Sequence, residues 1–172
     1  MNHYTTILLL LLYFPSAFAQ DVDVIYVPTQ EPVLQAMLKL AGVDSTDVVY
    51  DLGSGDGRIV ITAATQYGAK GVGIDIDPQS VKEANENAVA ANVTHLVKFR
   101  QGDLFKADFR EATVVTIYLM SGLNLMLRPI LMRQLKPGAR VVSHAFHMGD
   151  WEPDESIEVD GTTIYLWRIP EE

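Results

Sequence analysis

The sequence contains no cysteine, only two tryptophans, and 13 basic residues against 22 acidic ones, for a formal net charge of −9 over 172 residues. Without thiols there is no disulfide framework, no zinc-thiolate site and no thiolate nucleophile for covalent catalysis. The shortage of Lys and Arg argues against a nucleic-acid partner, because affinity for a phosphate backbone comes mainly from cationic side chains displacing counterions. It favours a basic or amine-bearing partner. Repeats and low-complexity stretches are also missing, and Gly and Pro are dispersed, so no internal linker is expected. With 48% hydrophobic residues the chain supports one core of ordinary size and has no room for a second.

The amino terminus reads as separate from that core. Met1 to Tyr4 is polar, Ile7 to Phe14 is an unbroken apolar run, Pro15 ends it, and Ala17-Phe18-Ala19 places small residues where a signal peptidase cuts. The run is well short of the roughly 20 residues that span a bilayer. Residues 1–19 are therefore expected to be a signal peptide and 20–172 the functional domain, beginning at Gln20 and exported to a periplasmic or secreted location. The n-region carries no Lys or Arg, which leaves a retained membrane anchor, with membrane association, as the alternative.

Along the domain, strand-like and helix-like patterns alternate. Glu31 to Ala41 has apolar residues at helical spacing, with Thr29 as N-cap and Gly42 as stop. Asp47 to Leu52 reads as a strand, Ile59 to Tyr67 as a helix, Gly71 to Ile76 as a strand, and Pro78 through Ala91 as a helix that Pro opens. Val97 to Arg100 and Ala112 to Leu119 are the next strands. The helical stretch Ser121 to Leu135 contains Pro129, which should kink it or start a second helix. Arg140 to Ser143 is a fifth strand, and Ile157 to Val159 and Thr162 to Arg168 flank Asp160-Gly161, a hairpin signature. The pattern predicts an α/β fold: a Rossmann-like, doubly wound, mainly parallel sheet of seven strands with a C-terminal antiparallel hairpin.

The chemistry concentrates at Asp51-x-Gly53-x-Gly55-x-Gly57, between the first strand and the next helix. Glycines let the backbone turn sharply and approach a ligand closely, and the helix that follows offers free N–H groups. The nicotinamide fingerprint G-x-G-x-x-G is not met, since Arg58 holds the place of its third glycine and Gly57 comes one residue early. Asp51 suits a ligand with positive charge, such as the ammonium and sulfonium of S-adenosylmethionine. Asp75 ends the second strand, where an acid can accept from both ribose hydroxyls, and Asp103 follows the third, where it can accept from the adenine amino group. Asp51, Gly53, Gly55, Gly57, Asp75 with Ile76, and Asp103 with Leu104 are thus the candidate cofactor residues, with Asp77 a supporting or adenine-side contact. No metal site is expected.

Over nearly the whole domain the sequence resembles the seven-strand class of S-adenosylmethionine-dependent methyltransferases, including the turn Leu135-Lys136-Pro137-Gly138 before the fifth strand. More narrowly, the stretch Asp51 to Val60 and Val115-Thr116-Ile117-Tyr118-Leu119 are similar to the small protein-lysine methyltransferases related to the enzyme acting on the ATP synthase c subunit. The glycine motif also resembles that of the non-SET histone lysine methyltransferases, but the basic amino-terminal extension of those enzymes is missing. The resemblance implies S-adenosyl-L-methionine as cofactor, contacts by Asp51, Gly53, Gly55, Asp75 and Asp103, and an acceptor pocket beside Tyr118. The lack of cysteine excludes pyrimidine C5 methylation, which needs a thiolate. Tyr118-Leu119-Met120-Ser121 lacks the Pro-Pro-aromatic loop of amino-directed nucleic-acid methyltransferases.

On the acceptor side, Tyr118 can present an aromatic face to a cation, and His144, just past the fifth strand, can take a proton near neutral pH. These two are the candidate catalytic residues; His147 and Asp150 lie nearby, Trp151 reads as a packing lid, and Tyr26-Val27-Pro28-Thr29 as a segment able to close over the cofactor. Methyl transfer to an amine, foremost a protein lysine, is the expected activity. A small-molecule N- or O-methyltransferase and a non-catalytic exported nucleoside-binding protein are the alternatives.

Overall fold

The computed structural model describes residues 27–171, so the expectations for residues 1–19 and for Tyr26 lie outside the described residues. The first helix α1 (Glu31–Leu40) precedes β1 (Val48–Leu52), α2 (Arg58–Tyr67), β2 (Lys70–Asp75), α3 (Pro78–Ala90), β3 (Val97–Gln101) and β4 (Val114–Ile117). Next come α4 (Ser121–Gln134), β5 (Arg140–His144), β6 (Glu155–Val159) and β7 (Thr162–Arg168). The seven strands form one sheet in the order β3-β2-β1-β4-β5-β7-β6. All neighbours are parallel up to β5, and β7 then runs antiparallel to both β5 and β6. Asp160 and Gly161, both at positive φ, close the β6–β7 hairpin at the expected place.

Burial explains why these runs became strands. Tyr50, Leu52, Val115 and Ile117 face one layer with Leu127 and Leu131 of α4, whereas Val49, Val114 and Val142 face the other with Val33, Leu34, Met37 and Leu38 of α1. Helices α2 and α3 extend that second layer over β3, around Phe99 and Ala84. With a helical layer on each face, the inner parallel strands β2, β1, β4 and β5 are largely hidden from water on both sides, whereas the edge strand β3 exposes Lys98 and Arg100.

Two expectations change. Thr29 does not cap α1: Gln30 holds the N-cap position without a side-chain bond, and Thr29 is buried against His144. Pro129 neither divides α4 nor opens a second helix, and the helix runs unbroken from Ser121 to Gln134. Pro129 lies on the exposed side of α4, so the carbonyl it leaves without a helical N–H can be met by water.

The strand order reverses direction of growth between β1 and β4, which opens a crevice at their carboxyl ends. The candidate residues follow these strand ends, so the topology gathers them there.

Candidate active site

The loop from β1 to α2 is shaped by backbone conformations that side chains resist. Gly53 and Gly57 have φ of +91° and +80°. A Cβ on Gly57 would also stand 2.5 Å from the Phe99 ring and 2.9 Å from the Ala84 Cβ, so this glycine lets α2 settle against α3 and β3. Gly55 directs its N–H to Asp75 Oδ2 at 2.8 Å. Asp75 Oδ1 accepts from the Asp77 N–H at 3.0 Å, and the carboxylate thereby ties the glycine loop to the end of β2.

Asp51 sits beneath this loop, 3% exposed, in register with Thr116 of β4. The Thr116 hydroxyl donates to Asp51 Oδ1 at 2.7 Å. Burial pushes the Asp51 carboxyl up to about 7; the Thr116 bond opposes this, and the charges of Asp75 and Asp56 add to it. A carboxyl in that condition is short of positive charge.

A cavity of about 750 Å³ opens above these residues. Asp51, Gly53, Asp75, Ile76, Asp103, Leu104 and Tyr118 all line it. Ile76 is 70% exposed, an apolar surface left beside the cavity. Asp103 accepts from the Phe105 N–H at 2.9 Å and pairs with Lys106 at 3.0 Å, contacts that hold its carboxyl below the usual carboxylate range. Asp77 also borders the cavity while serving as N-cap of α3, accepting from the N–H groups of Gln79 and Ser80. Gly55 and Gly57 are not on the cavity wall and act through the shape of the loop.

Tyr118 follows β4 directly and lines the cavity with the acids. Its ring stacks on His144, centroids 3.6 Å apart and planes 15° from parallel, and Phe146 lies 6.2 Å away at 26°. His144 is buried against Tyr118 and is not on the cavity wall; burial lowers its pKa, which favours the neutral imidazole. Its Nδ1 shares a 3.1 Å hydrogen bond with Thr29 Oγ1. The Thr29 carbonyl accepts from Arg58 Nη1 at 3.1 Å, and Val27, Pro28 and Thr29 border the cavity as a strap. His147 is exposed and its Nδ1 accepts from the Gly149 N–H. Trp151 packs on Trp167, 5.8 Å between centroids, away from the cavity wall.

Thr116, Phe146 and the buried Asn124 of α4 are not among the residues expected from sequence. Thr116 and Asn124 carried a detectable signal, each being the polar residue of an otherwise apolar face, in Val114–Ile117 and in the Asn124, Leu127, Leu131 stripe. For Phe146 no pattern in the sequence sets it apart.

The cavity fits S-adenosylmethionine: a buried carboxyl lacking a cation at one end, acids at three successive strand ends, and an exposed apolar side chain between them. Comparison with known proteins agrees. The sequence model of the ANTKMT methyltransferase domain matches residues 51–155. A protein-lysine N-methyltransferase of Saccharolobus islandicus is 47% identical over 151 residues, covering 85% of this chain and 94% of its own. The ATP synthase c-subunit lysine N-methyltransferase of Xenopus laevis is 34% identical over 144 residues and 84% of this chain, which spans 63% of that enzyme's length. Among solved structures, an RNA methyltransferase from Salinibacter ruber in complex with S-adenosyl-L-homocysteine aligns with a TM-score of 0.84 and 62% identity, covering 85% of this chain and 95% of its own. From the glycine loop to the antiparallel end of the sheet, the chain belongs to the family of the ANTKMT methyltransferase domain and is an S-adenosylmethionine-dependent methyltransferase.

Proposed function

We propose that the acceptor is an amine, the ε-amino group of a lysine in a protein, and that Asp51, Asp75 and Asp103 hold the cofactor while Tyr118 forms the acceptor wall. The observation that carries this reading is the charge of the cavity. Among the described residues four acidic side chains line it (Asp51, Asp75, Asp77 and Asp103), and the one cationic side chain, Arg58, is committed to Asp56 and to the Thr29 carbonyl. Such a site attracts an ammonium and repels a phosphate backbone. The lysine-directed relatives favour the same acceptor. The Salinibacter protein bears the name of an RNA methyltransferase, and RNA is therefore the competing acceptor to be tested.

S-adenosylmethionine supplies an electrophilic methyl group on a sulfonium. The task left to this chain is to align a lysine nitrogen with that methyl and to present it neutral. A lysine has an unperturbed pKa of about 10.4, and an apolar aromatic wall lowers it by desolvation. Tyr118 supplies that wall and an attractive face for the cation on arrival. His144, stacked behind it and bonded to Thr29, fixes the angle of the ring and links it to the strap. Asp51, Asp75 and Asp103 would hold the cofactor as its methyl passes to the nitrogen lone pair and the neutral thioether leaves, and the proton lost by the amine would pass to water. Alignment and exclusion of water supply the acceleration.

The test is incubation with methyl-labelled cofactor and, in parallel, protein and RNA from the same cells. Label on lysine, rising in rate from neutral to alkaline pH, is the expected result, with Tyr118→Ala lowering turnover more than cofactor affinity. Label confined to RNA, or to small amines with protein lysines unmodified, would overturn the lysine assignment.

A further inference from the structure

We propose that Asn124 is a positioning residue that sets the acceptor wall by holding a strained turn at the end of β5. The inference rests on the reading of Tyr118 as the acceptor-side wall. Asn124 is fully buried in the first turn of α4, on the stripe it shares with Leu127 and Leu131. Its Nδ2 donates to the Phe146 carbonyl at 3.0 Å and to Ser143 Oγ at 3.3 Å. The Ser143 hydroxyl donates to the same carbonyl at 2.6 Å. Between them stands Ala145 at φ +65°, in the left-handed region that a residue with a Cβ resists. The turn is closed by the Phe146 N–H on the His144 carbonyl at 2.9 Å.

This arrangement has a direct consequence for the wall. Ala145 at positive φ folds the chain back within three residues, so that the rings of His144 and Phe146 both come against Tyr118. Without Asn124 the Phe146 carbonyl would keep only the Ser143 hydroxyl as side-chain donor, and the strained turn, held less firmly, would let the two rings shift from Tyr118. Asn124 is a poor choice for stability alone: its Oδ1 is buried and has no partner among the described residues, a cost that a leucine of similar volume would avoid. Its use is the pair of donor bonds, and those bonds end on the turn.

Three variants decide the matter: Asn124→Leu, which keeps the packing and removes the donors; Ala145→Gly in that background; and Tyr118→Ala as control. Calorimetry with S-adenosyl-L-homocysteine reads the cofactor site, and labelled methyl transfer to a lysine-bearing protein extract, at dilute and saturating concentration, reads the acceptor side. Asn124→Leu should bind S-adenosyl-L-homocysteine within about twofold of the parent, yet lose about 10- to 100-fold in transfer rate at dilute extract. Glycine adopts the left-handed turn unaided, so the double variant should recover most of that loss. Unchanged transfer in Asn124→Leu, an equal loss of cofactor binding, or no recovery on adding Ala145→Gly would each overturn the proposal. If Tyr118→Ala leaves transfer unchanged, the wall itself is misassigned and the fault lies in the acceptor reading. Should Asn124→Leu fail to fold, Ser143→Ala removes the other donor to the Phe146 carbonyl without touching α4, and must weaken transfer in the same way for the proposal to stand.

Discussion

Asp51→Asn tests whether the carboxyl beneath the glycine loop is held in readiness for a cation at the expense of stability. The folded chain keeps the Asp51 proton up to about pH 7, whereas an unfolded chain releases it near 3.8. Its favourable contribution is therefore complete below about pH 3.8 and is lost as pH rises through 7, where an ionised group must be buried. A difference of about three pKa units corresponds to roughly 4 kcal/mol at about 1.4 kcal/mol per unit. Asparagine retains an oxygen for the Thr116 hydroxyl but buries an amide, which costs about 1–3 kcal/mol if unpaired. The net expectation at pH 8 is a gain of about 1–3 kcal/mol, or roughly 2–10 °C in Tm for a chain of this size. At pH 5 Asp51 is already neutral, and the gain should vanish or turn into a small loss. Thermal unfolding of the ligand-free protein at the two pH values measures this directly. A variant offset that is the same at pH 5 and pH 8 would refute the reasoning. Binding should respond in the opposite sense: S-adenosyl-L-homocysteine affinity of the parent rises as pH approaches 7 and then levels, and the variant loses both affinity and that slope.

Asp75→Ala removes the acceptor of the Gly55 and Asp77 N–H groups and, on the proposed assignment, of the ribose hydroxyls. At roughly 1.5–3 kcal/mol per bond to a charged group, loss of even one such bond should raise the Kd for S-adenosyl-L-homocysteine about 10- to 150-fold, and calorimetry finding no change would remove Asp75 from the cofactor site. We also propose that residues 1–19 form an export segment, on the apolar run Ile7 to Phe14 and the small residues that follow. Sequencing the amino terminus of the native protein should then begin at Gln20, and an intact Met1 would favour the anchor instead.

Most of the fold was legible because its signals are local. A short β-branched run that marks a strand, a glycine loop before a helix, and Asp-Gly between two β-rich runs each depend on a few neighbouring residues. The acids at three strand ends were legible for a related reason: in a parallel sheet all strand carboxyl ends face one side, so position along the strand already fixes position in the crevice. Ile76 and Leu104 came with them as the next residues in line. Boundaries are harder to read, and β4 is four residues long where the apolar run suggests eight, because Ala112, buried, and Leu119, partly buried, pack on the core from outside the sheet ladder.

What escaped the sequence depends on contacts between distant segments. Thr29 and His144 are 115 residues apart, and a Thr before a helical run reads as a cap until the fold places an imidazole beside it. Local propensity and tertiary contact compete for the same hydroxyl, and the buried partner wins here because an exposed cap bond can be replaced by water whereas an unpaired buried group cannot. The same competition recasts His144. By sequence it is a titratable group near an acceptor, but in the fold it is a buried ring, its pKa lowered by burial, with one nitrogen on Thr29 and one face on Tyr118. Protonation would place a buried charge at the junction of the strap and the acceptor wall. On the proposed acceptor reading, His144 would serve the reaction by holding the Tyr118 ring in place, which its stacking and its bond to Thr29 support better than proton removal.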